Sequence, residues 1–262
     1  MDLGLKGKVA LLTGASRGLG FATAKALAQE GVDIAINSRD QKSLAKAGDQ
    51  LAAFGTRVVS LPGDVTDPDQ AERLVYGTLA TLGKLDLLFT NAGGPPPGPF
   101  ASFSDQDWQD AIELSFMSHV RLIRAALPHL KRSEVPSVLT VTSISVKQPI
   151  PNLVLSNSIR AATVGLTKTL ALELGSEGIR FNSILPSWTK TERVDTLLAD
   201  RAKQKGTTLK DEINAQNEQS PLGRMAQPEE FAKAAAFLLS PTASYITGVM
   251  LTVDGGTYKG LL

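Results

Sequence analysis

The sequence predicts a single α/β domain in which about seven parallel strands form a doubly wound sheet with helices on both faces. Short runs rich in Val, Ile and Leu alternate with longer segments whose apolar residues recur at helical spacing. Most of the runs are uninterrupted by polar residues, which is typical of strands that are covered on both faces. The length of 262 residues and the hydrophobic fraction of 42% suffice for one large core. We therefore expect one domain over residues 1–262.

Seven apolar runs are predicted to be strands. In chain order they are KVALLT (8–13), DIAIN (33–37), RVVSL (57–61), LDLLF (85–89), SVLTVT (137–142), IRFNSIL (179–185) and GVMLTV (248–253). Helical spacing predicts helices over 18–30, 41–53, 68–82, 105–131, 153–175 and 228–239. This alternation indicates repeated βαβ units.

Two segments interrupt the alternation. Residues 94–99, GPPPGP, are predicted to form an exposed loop, because proline lacks an amide donor and fixes φ. Residues 191–220 are predicted to form a mobile helical flap after the sixth strand. In this flap Val194, Leu197 and Leu198 have helical spacing and precede a polar stretch.

The composition argues against several classes of partner and site. With 27 Lys+Arg and 26 Asp+Glu, the formal net charge of +1 gives no basic field for nucleic acid. The absence of cysteine excludes disulfides and thiolate sites, and two histidines distant in sequence argue against a metal site. No apolar run approaches the ~18 residues of a membrane span, and the amino terminus lacks the pattern of a signal peptide. We expect a cytoplasmic protein with no membrane partner.

A glycine-rich turn follows the first predicted strand. It reads Gly14-Ala15-Ser16-Arg17-Gly18-Leu19-Gly20 and leads into the first predicted helix. Glycines allow a tight turn that brings backbone N–H groups close to a pyrophosphate, and the helix N-terminus adds partial positive charge. The position between a strand and a helix favours a dinucleotide-binding turn over a glycine turn that serves packing alone.

The Gly-x-x-x-Gly-x-Gly spacing, together with Asn91-Ala92-Gly93 after the fourth strand, resembles the short-chain dehydrogenase/reductase family. Within it the chain is most similar to the 3-oxoacyl-carrier-protein reductase-like branch, and the resemblance covers nearly the whole chain. Further matching points are Asp64-Val65, Pro221-Leu222-Gly223-Arg224, Ile246-Thr247-Gly248 and Val253-Asp254-Gly255-Gly256. The resemblance implies a Rossmann-type fold, a nicotinamide cofactor, a small carbonyl or alcohol substrate, and a homotetramer or homodimer.

The resemblance and the turn together imply a set of cofactor-binding residues. They are Gly14, Ser16, Arg17, Gly18, Leu19, Gly20, Ser38, Arg39, Asp64, Val65, Asn91, Ala92, Gly93, Arg160, Pro186 and Thr191. An NAD site usually has an acidic residue at the end of the second strand. This chain has Ser38 there, with Arg39 beside it and Arg17 in the glycine turn, and guanidinium groups suit a 2′-phosphate. The presence of both arginines in these two loops favours their binding the 2′-phosphate of NADP(H). The alternative is that each is an ordinary solvated surface residue.

The family's Asn-Ser-Tyr-Lys catalytic group is largely replaced. Ser143 stands at the serine position, whereas Ser156 replaces the tyrosine, Arg160 the lysine and Ser115 the asparagine. Arg160 can still hold a ribose, but a group with a pKa above ~12 does not relay protons. Ser156 is a shorter side chain and a poorer acid than a phenol of pKa about 10. Lys147, four residues after Ser143, is either an alternative proton donor or anion-binding group, or an ordinary solvated lysine.

Two functions remain open at this point. The first is an NADP(H)-dependent oxidoreductase in which Ser143 polarises a carbonyl and the proton arrives by an atypical route. The second is a catalytically inactive NADP(H)-binding sensor or partner subunit. For the oligomer, an apolar stripe on the helix predicted over 153–175, formed by Leu166, Leu170 and Leu174, either serves an interface or packs on the sheet.

Overall fold

The computed structural model describes residues 2–261 and contains one parallel sheet of seven strands in the order β3-β2-β1-β4-β5-β6-β7. The strands are β1 Val9–Leu12, β2 Asp33–Ser38, β3 Val58–Pro62, β4 Leu87–Thr90, β5 Ser137–Val141, β6 Arg180–Pro186 and β7 Met250–Val253. Every neighbouring pair is parallel. The predicted α/β class and all seven predicted strands are confirmed.

Helices connect the strands and cover both faces of the sheet. They are α1 Gly18–Gln29, α2 Gln41–Ala52, α3 Gln70–Leu82, α4 Asp105–Ile112, α5 Ser118–Leu130, α6 Val154–Glu173, α7 Glu192–Lys205, α8 Leu209–Glu218 and α9 Pro228–Leu239. Within residues 2–261, no helix is long and apolar enough to cross a bilayer.

Each face of the sheet has its own apolar core. Ala10 and Leu12 of β1 belong to one cluster, with residues of α1, α2 and α9, whereas Val9 and Leu11 belong to the other, with residues of α3, α5 and α6. Successive residues of a strand point to opposite faces, so a strand buried on both sides must be apolar at every position. This explains the uninterrupted runs in the sequence.

The leucine stripe on α6 serves the second core. Leu174 is buried, and Leu166 and Leu170 pack against the same cluster. The stripe therefore packs on the sheet, which is the second of the two alternatives. The leucine that α6 exposes is Leu172, at 76% of its full accessibility.

The long helix predicted over 105–131 is interrupted by a π-helical turn at Glu113–Met117, between α4 and α5. The Ser118 N–H donates to the carbonyl of Glu113, five residues back. Two hydroxyls donate to the next carbonyls: Ser118 Oγ to Leu114 O (2.6 Å) and Thr163 Oγ1 of α6 to Ser115 O (2.7 Å). Because one of these donors comes from a different helix, local periodicity carries no signal for the turn. Single π turns occur frequently at functional sites.

The two irregular segments differ in how well they were predicted. Residues 94–99 form a loop, but the expectation that all of it is exposed is wrong, because Pro95 is buried. The Gly98 N–H donates to Asn152 O at 2.7 Å and ties the loop to the start of α6. The segment 191–220 contains α7 and α8, so it is helical, whereas its movement as a flap stays a prediction.

The strand order places the crevice of the sheet between β1 and β4. From β1 the chain winds outward to β2 and β3 and then returns to the other side at β4. In open α/β sheets, ligands bind at the carboxyl ends of the strands where the order reverses. The glycine turn after β1 and Asn91 after β4 lie at this point.

Gly20 in α1 is expected to tolerate no side chain. A Cβ there would overlap the carbonyl oxygen of Gly14 and lie 2.9 Å from Ala15 Cα, both backbone atoms. We predict that Gly20→Ala lowers the free energy of unfolding by about 3 kcal/mol in urea denaturation. The control is Gly165→Ala in α6, where a Cβ meets no atom within 4 Å. This substitution should be neutral or stabilise by up to about 1 kcal/mol. Equal effects of the two substitutions would contradict the close packing of α1 on β1.

Candidate active site

The glycine turn leaves the amino terminus of α1 open to a ligand. Gly14 and Gly18 have φ of +58° and +57°, and a Cβ on Gly14 would lie 2.8 Å from the backbone oxygen and side-chain nitrogen of Asn91. The N-cap residue Arg17 makes no side-chain cap, and the first turn of α1 contains no acidic residue. The first amides of a helix need partners. Among residues 2–261 no side chain caps them, so the turn fits the diphosphate of a dinucleotide.

Asn91 clamps the ends of β1 and β4 together. Its N–H donates to Thr13 Oγ1 (3.0 Å), its carbonyl accepts from the same hydroxyl (2.9 Å), and its side-chain amide donates to Gly14 O (3.1 Å). Ala92 and Gly93 follow directly, so the predicted Asn91-Ala92-Gly93 segment lies beside the glycine turn. Ser16 and Leu19 are half-buried in that turn.

The end of β2 offers no free carboxylate. Asp40 is the N-cap of α2 and accepts from Ser43 N at 2.7 Å. Hydrogen bonds from the Ser43 hydroxyl and amide, with Arg17 nearby, lower the pKa of Asp40. Because this carboxylate is used by the helix, half-buried Ser38 stands at the position where an NAD site usually has its acidic residue.

The two arginines predicted to meet a 2′-phosphate are exposed and ion-paired. Arg39 Nη1 lies 3.6 Å from Asp64 Oδ2, and Arg17 Nη1 lies 3.3 Å from Glu192 Oε2. The other carboxylate oxygen of Asp64 accepts from the Thr66 N–H at 3.0 Å, which also fixes the loop that contains half-buried Val65. Exposed pairs of this kind contribute little to stability, so a phosphate can displace the carboxylates at low cost.

The start of α7 lies against the glycine turn. The strand β6 ends at Pro186, and Thr191 lies five residues later. The Thr191 hydroxyl caps α7 by accepting from Val194 N at 3.4 Å. A Cβ on Gly18 would lie 3.7 Å from the Thr191 methyl group. Together with the Arg17–Glu192 pair, this contact places the start of α7 over the turn.

The predicted catalytic positions meet around the start of α6. Ser143 follows β5, and its Oγ accepts from the Ser145 N–H at 3.1 Å. Ser156 is 9% exposed on the first turns of α6, and its hydroxyl makes no hydrogen bond within residues 2–261. Ser115 lies in the π turn that contacts α6 through Thr163. The structure therefore brings these three residues to one region.

Several buried hydroxyls in this region are without partners. Of the four such side-chain atoms in the described chain, three lie on segments that pack against α6: Ser115 Oγ, Thr142 Oγ1 and Ser145 Oγ. Unsatisfied buried polar groups are uncommon in native proteins. Two of them, Thr142 and Ser145, flank Ser143 in the sequence, which makes this region a candidate site for a polar ligand.

Arg160 is a buried cation in the middle of this site. Its Nη1 donates to the carbonyls of Val141 (3.2 Å) and Thr142 (3.0 Å), and its Nη2 donates to Gly93 O (3.4 Å). Burial, with Arg193 nearby, lowers the pKa of Arg160 to about 10, so it stays charged at neutral pH. Arg160 thus joins the end of β5 to the segment after β4.

Sequence reasoning missed Arg193 in α7. Its Nη2 donates to Gly94 O at 3.2 Å, next to the carbonyl that Arg160 contacts. Arg193 stands two positions after Thr191, which the sequence had already assigned to the site. That proximity was the available signal.

Lys147 meets an aromatic residue from the carboxyl-terminal segment. Its Nζ lies 5.2 Å from the ring centroid of Tyr258, a residue to which the sequence assigned no role. The Lys259 N–H donates to Gln148 Oε1 at 3.4 Å, so this segment packs on the loop that follows Ser143. Lys147 is therefore half-buried and held against the carboxyl-terminal segment, and its part in the reaction stays a prediction.

His119 is buried beside the site and is neutral. Its Nδ1 lies 2.7 Å from Thr90 Oγ1 at the end of β4. Burial, with Arg160 nearby, lowers the pKa of His119 to about 3. It therefore offers no proton at neutral pH and joins α5 to β4.

A family model described as enoyl-(acyl carrier protein) reductase matches residues 14–258. The chain is 35% identical over 263 residues to L-rhamnose 1-dehydrogenase (NAD(P)(+)) of Sphingomonas sp. (strain SKA58), with 98% of each protein covered. It is 31% identical over 252 residues to the 3-oxoacyl-(acyl-carrier-protein) reductase FabG of Staphylococcus aureus (strain Mu50), covering 96% of this chain and 98% of that protein.

A solved structure is similar over its full length. L-sorbose reductase from Gluconobacter frateurii, complexed with NADPH and L-sorbose, superposes with a TM-score of 0.95 and 33% sequence identity, covering 100% of both chains. By their names, these similar proteins are all oxidoreductases, and they act on sugars or on 3-oxoacyl groups.

His119 is expected to make the fold sensitive to acid. In the folded protein its pKa lies below the ordinary value of about 6.5. Its contribution to the free energy of unfolding is therefore complete above pH 6.5 and is lost as the pH falls from about 6.5 towards 3. We predict that His119→Gln makes the free energy of unfolding fall less steeply with acidification, by up to about 1.4 kcal/mol per pH unit. Urea denaturation between about pH 7 and pH 5 measures both slopes. The control is His129→Gln, which retains His119 and should keep the steep dependence of the free energy of unfolding on pH. Identical slopes for the natural chain and the two variants would contradict the prediction.

Proposed function

Because the chain belongs to the short-chain dehydrogenase/reductase family, we propose that it is an NADP(H)-dependent oxidoreductase acting between a carbonyl and an alcohol. The observation that carries the proposal is the convergence at one sheet edge of the uncapped α1 N-terminus and Ser143. The first suits a dinucleotide diphosphate, and the second supplies a hydroxyl for a substrate oxygen.

The residues around the glycine turn are those that would hold the cofactor. When bound, a nicotinamide dinucleotide supplies hydride-transfer chemistry. Arg17 and Arg39 would exchange their exposed carboxylate partners for a 2′-phosphate. Asp40 is committed to capping α2, which removes the carboxylate that an NAD ribose would need. These features support NADP(H) over NAD(H).

Ser143 is suited to polarise the substrate carbonyl. Its oxygen accepts the Ser145 N–H, so its own proton is available to a substrate oxygen. Arg160 holds the backbone on both sides of the site and adds positive charge where negative charge develops during reduction.

We assign proton delivery to an atypical route. Ser156 replaces a phenol with a short hydroxyl, and Ser115, whose buried Oγ has no partner among the described residues, is also small, so together they would leave room for water at the substrate oxygen. Water, or Lys147 at the edge of the site, would then supply the proton. A positioned general acid typically contributes about 10²–10⁴-fold in rate, so catalysis is expected to be correspondingly slow.

The second candidate is an inactive NADP(H)-binding sensor or partner subunit. The loss of the phenol at Ser156 favours it, since the cofactor cradle does not depend on that residue. For either function we propose a homotetramer or homodimer, supported by the exposed Leu172 on α6.

Restoring the missing groups separates the two functions. We predict that the double variant Ser156→Tyr/Arg160→Lys raises NADPH-dependent carbonyl reduction about 10²-fold or more, because it returns a phenol acid with a cation beside it. The assay is oxidation of NADPH with a pool of ketones and aldehydes. Ser156→Phe/Arg160→Lys is the matched control, with a ring of the same size and no hydroxyl. A folded double variant that binds NADPH and gains no activity would favour the non-catalytic protein.

Cofactor preference is tested at Arg39. We predict that Arg39→Ser weakens NADPH binding about tenfold and leaves NADH binding unchanged, because only NADPH carries the 2′-phosphate. Nucleotide titration monitored by reduced-nicotinamide fluorescence measures both affinities. The control is Arg73→Ser. Arg73 lies in α3 and is another exposed arginine, and it pairs with the carboxylates of Asp67 and Asp69 in the loop before that helix. An equal loss for both nucleotides, or no loss, would argue against an NADP(H) site.

A further inference from the structure

We propose that Arg160 and Arg193 form an anion-binding subsite, so that the substrate is a carbonyl compound carrying a carboxylate or phosphate near the carbonyl. This inference rests on the proposed function and adds the class of substrate. It starts from an electrostatic observation: two guanidinium groups converge on the Gly93-Gly94 segment, and neither forms a salt bridge within residues 2–261.

The two side chains meet at one point. The position of a Cβ on Gly94 lies 2.7 Å from Arg193 Nη2 and 3.6 Å from Arg160 Nη2. Two cations this close repel each other, and burial strengthens the repulsion because the effective dielectric constant is lower than in water. An anion between them would relieve it. Because residue 94 is glycine and has no side chain, the Nη2 atoms of both arginines can lie close to its backbone.

Another buried arginine shows what a purely structural role looks like in this fold. Arg180 donates through Nη1 and Nη2 to the carbonyls of Leu238, Leu239, Ser240 and Ile246. Three of these carbonyls lie at the end of α9, where the helix dipole is negative and stabilises a cation. Arg180 is thus compensated by the protein itself.

Arg160 lacks this compensation. It is 8% exposed and donates to three carbonyls, none of them at a helix C-terminus, and the contact with Gly93 is long at 3.4 Å. Its Nε–H makes no hydrogen bond within the described residues. A guanidinium has five N–H donors, so Nε–H and one Nη2–H remain for a ligand. A carboxylate or phosphate accepts from such a pair of donors.

The position of Arg160 assigns the anion to the substrate. Its two shorter contacts are to Val141 and Thr142, the residues immediately before Ser143. The diphosphate cradle lies at the start of α1, where Gly18 contacts Thr191, two residues before Arg193. The experiments below therefore separate an anion of the substrate from the cofactor's own phosphates. A carbonyl at Ser143 and an anionic group at the two arginines therefore belong to one small molecule. In its reduction the carbonyl carbon gains a hydride from NADPH, its oxygen gains a proton, and NADP⁺ is released.

Binding to the NADP⁺-loaded protein tests the subsite without turnover, since NADP⁺ does not reduce a carbonyl. The probes are matched pairs: short 2-oxo and 3-oxo acids against their methyl esters, and dihydroxyacetone phosphate against dihydroxyacetone. Calorimetric titration should show one charged member binding at least about tenfold more tightly than its neutral partner. The charged class that does so distinguishes a carboxylate from a phosphate substrate.

Substitutions of Arg193 then locate the effect. Arg193→Met should reduce the preference for the charged probe to less than about threefold, and Arg193→Lys should retain part of it. Lys203→Met, an exposed cation on the same helix, should leave it unchanged. Circular dichroism confirms that each variant is folded.

Three results would overturn the subsite: equal affinity for the members of every pair, no binding of any charged probe, or an unchanged preference in Arg193→Met. If Arg193→Met instead weakens NADP⁺ binding and keeps the preference, Arg193 serves the cofactor diphosphate and the subsite is also overturned. Failure of the proposed function looks different. A charged probe would bind through Arg193, yet NADPH would not be oxidised when that probe is added.

Discussion

The close contact between α1 and the end of β1 is the constraint on which the site depends. Gly20 lies against the carbonyl of Gly14, and Gly14 in turn lies against Asn91, so helix and strands approach closer than any side chain permits. This contact aims the uncapped N-terminus of α1 into the crevice between β1 and β4. It also places the start of α7, through Thr191, over the same turn. The phosphate-binding geometry follows from backbone packing rather than from any charged residue.

The chemistry beside this cradle has an unusual charge distribution. The phenol expected in this family is absent, His119 is neutral, and the buried titratable group at the centre is the arginine Arg160. By the inference above, such a site attracts and orients an anion, whereas the pKa values of His119 and Arg160, about 3 and about 10, leave neither of them suited to donate a proton near neutral pH. Ser143 can still polarise a carbonyl, because its oxygen is occupied by the Ser145 amide and its proton is free. Under the proposed function, we therefore expect catalysis to be limited by proton supply rather than by binding.

The sheet could be predicted from the sequence because each strand is buried on both faces and is therefore apolar throughout. The glycine turn, Asn91 and Ser143 could be placed because they follow strands whose carboxyl ends meet at one edge. Other features depend on contacts between distant segments. The π turn is satisfied by Thr163, Lys147 lies over Tyr258, and Arg193 reaches Gly94 across the crevice. Periodicity along the chain carries no information about such contacts, and for the same reason it could not decide which way the α6 leucine stripe faces.

The most direct measurement is a single-turnover experiment on the NADPH complex. Purified protein is loaded with NADPH and mixed with pooled carbonyl compounds, and the loss of the reduced-nicotinamide signal is followed for the natural chain and for Ser143→Ala. We predict slow, protein-dependent oxidation of NADPH that falls at least about 10²-fold in Ser143→Ala, because the substrate oxygen loses its hydrogen-bond donor. Tight binding of NADPH with no oxidation would contradict an oxidoreductase function and leave the cradle as part of a binding protein.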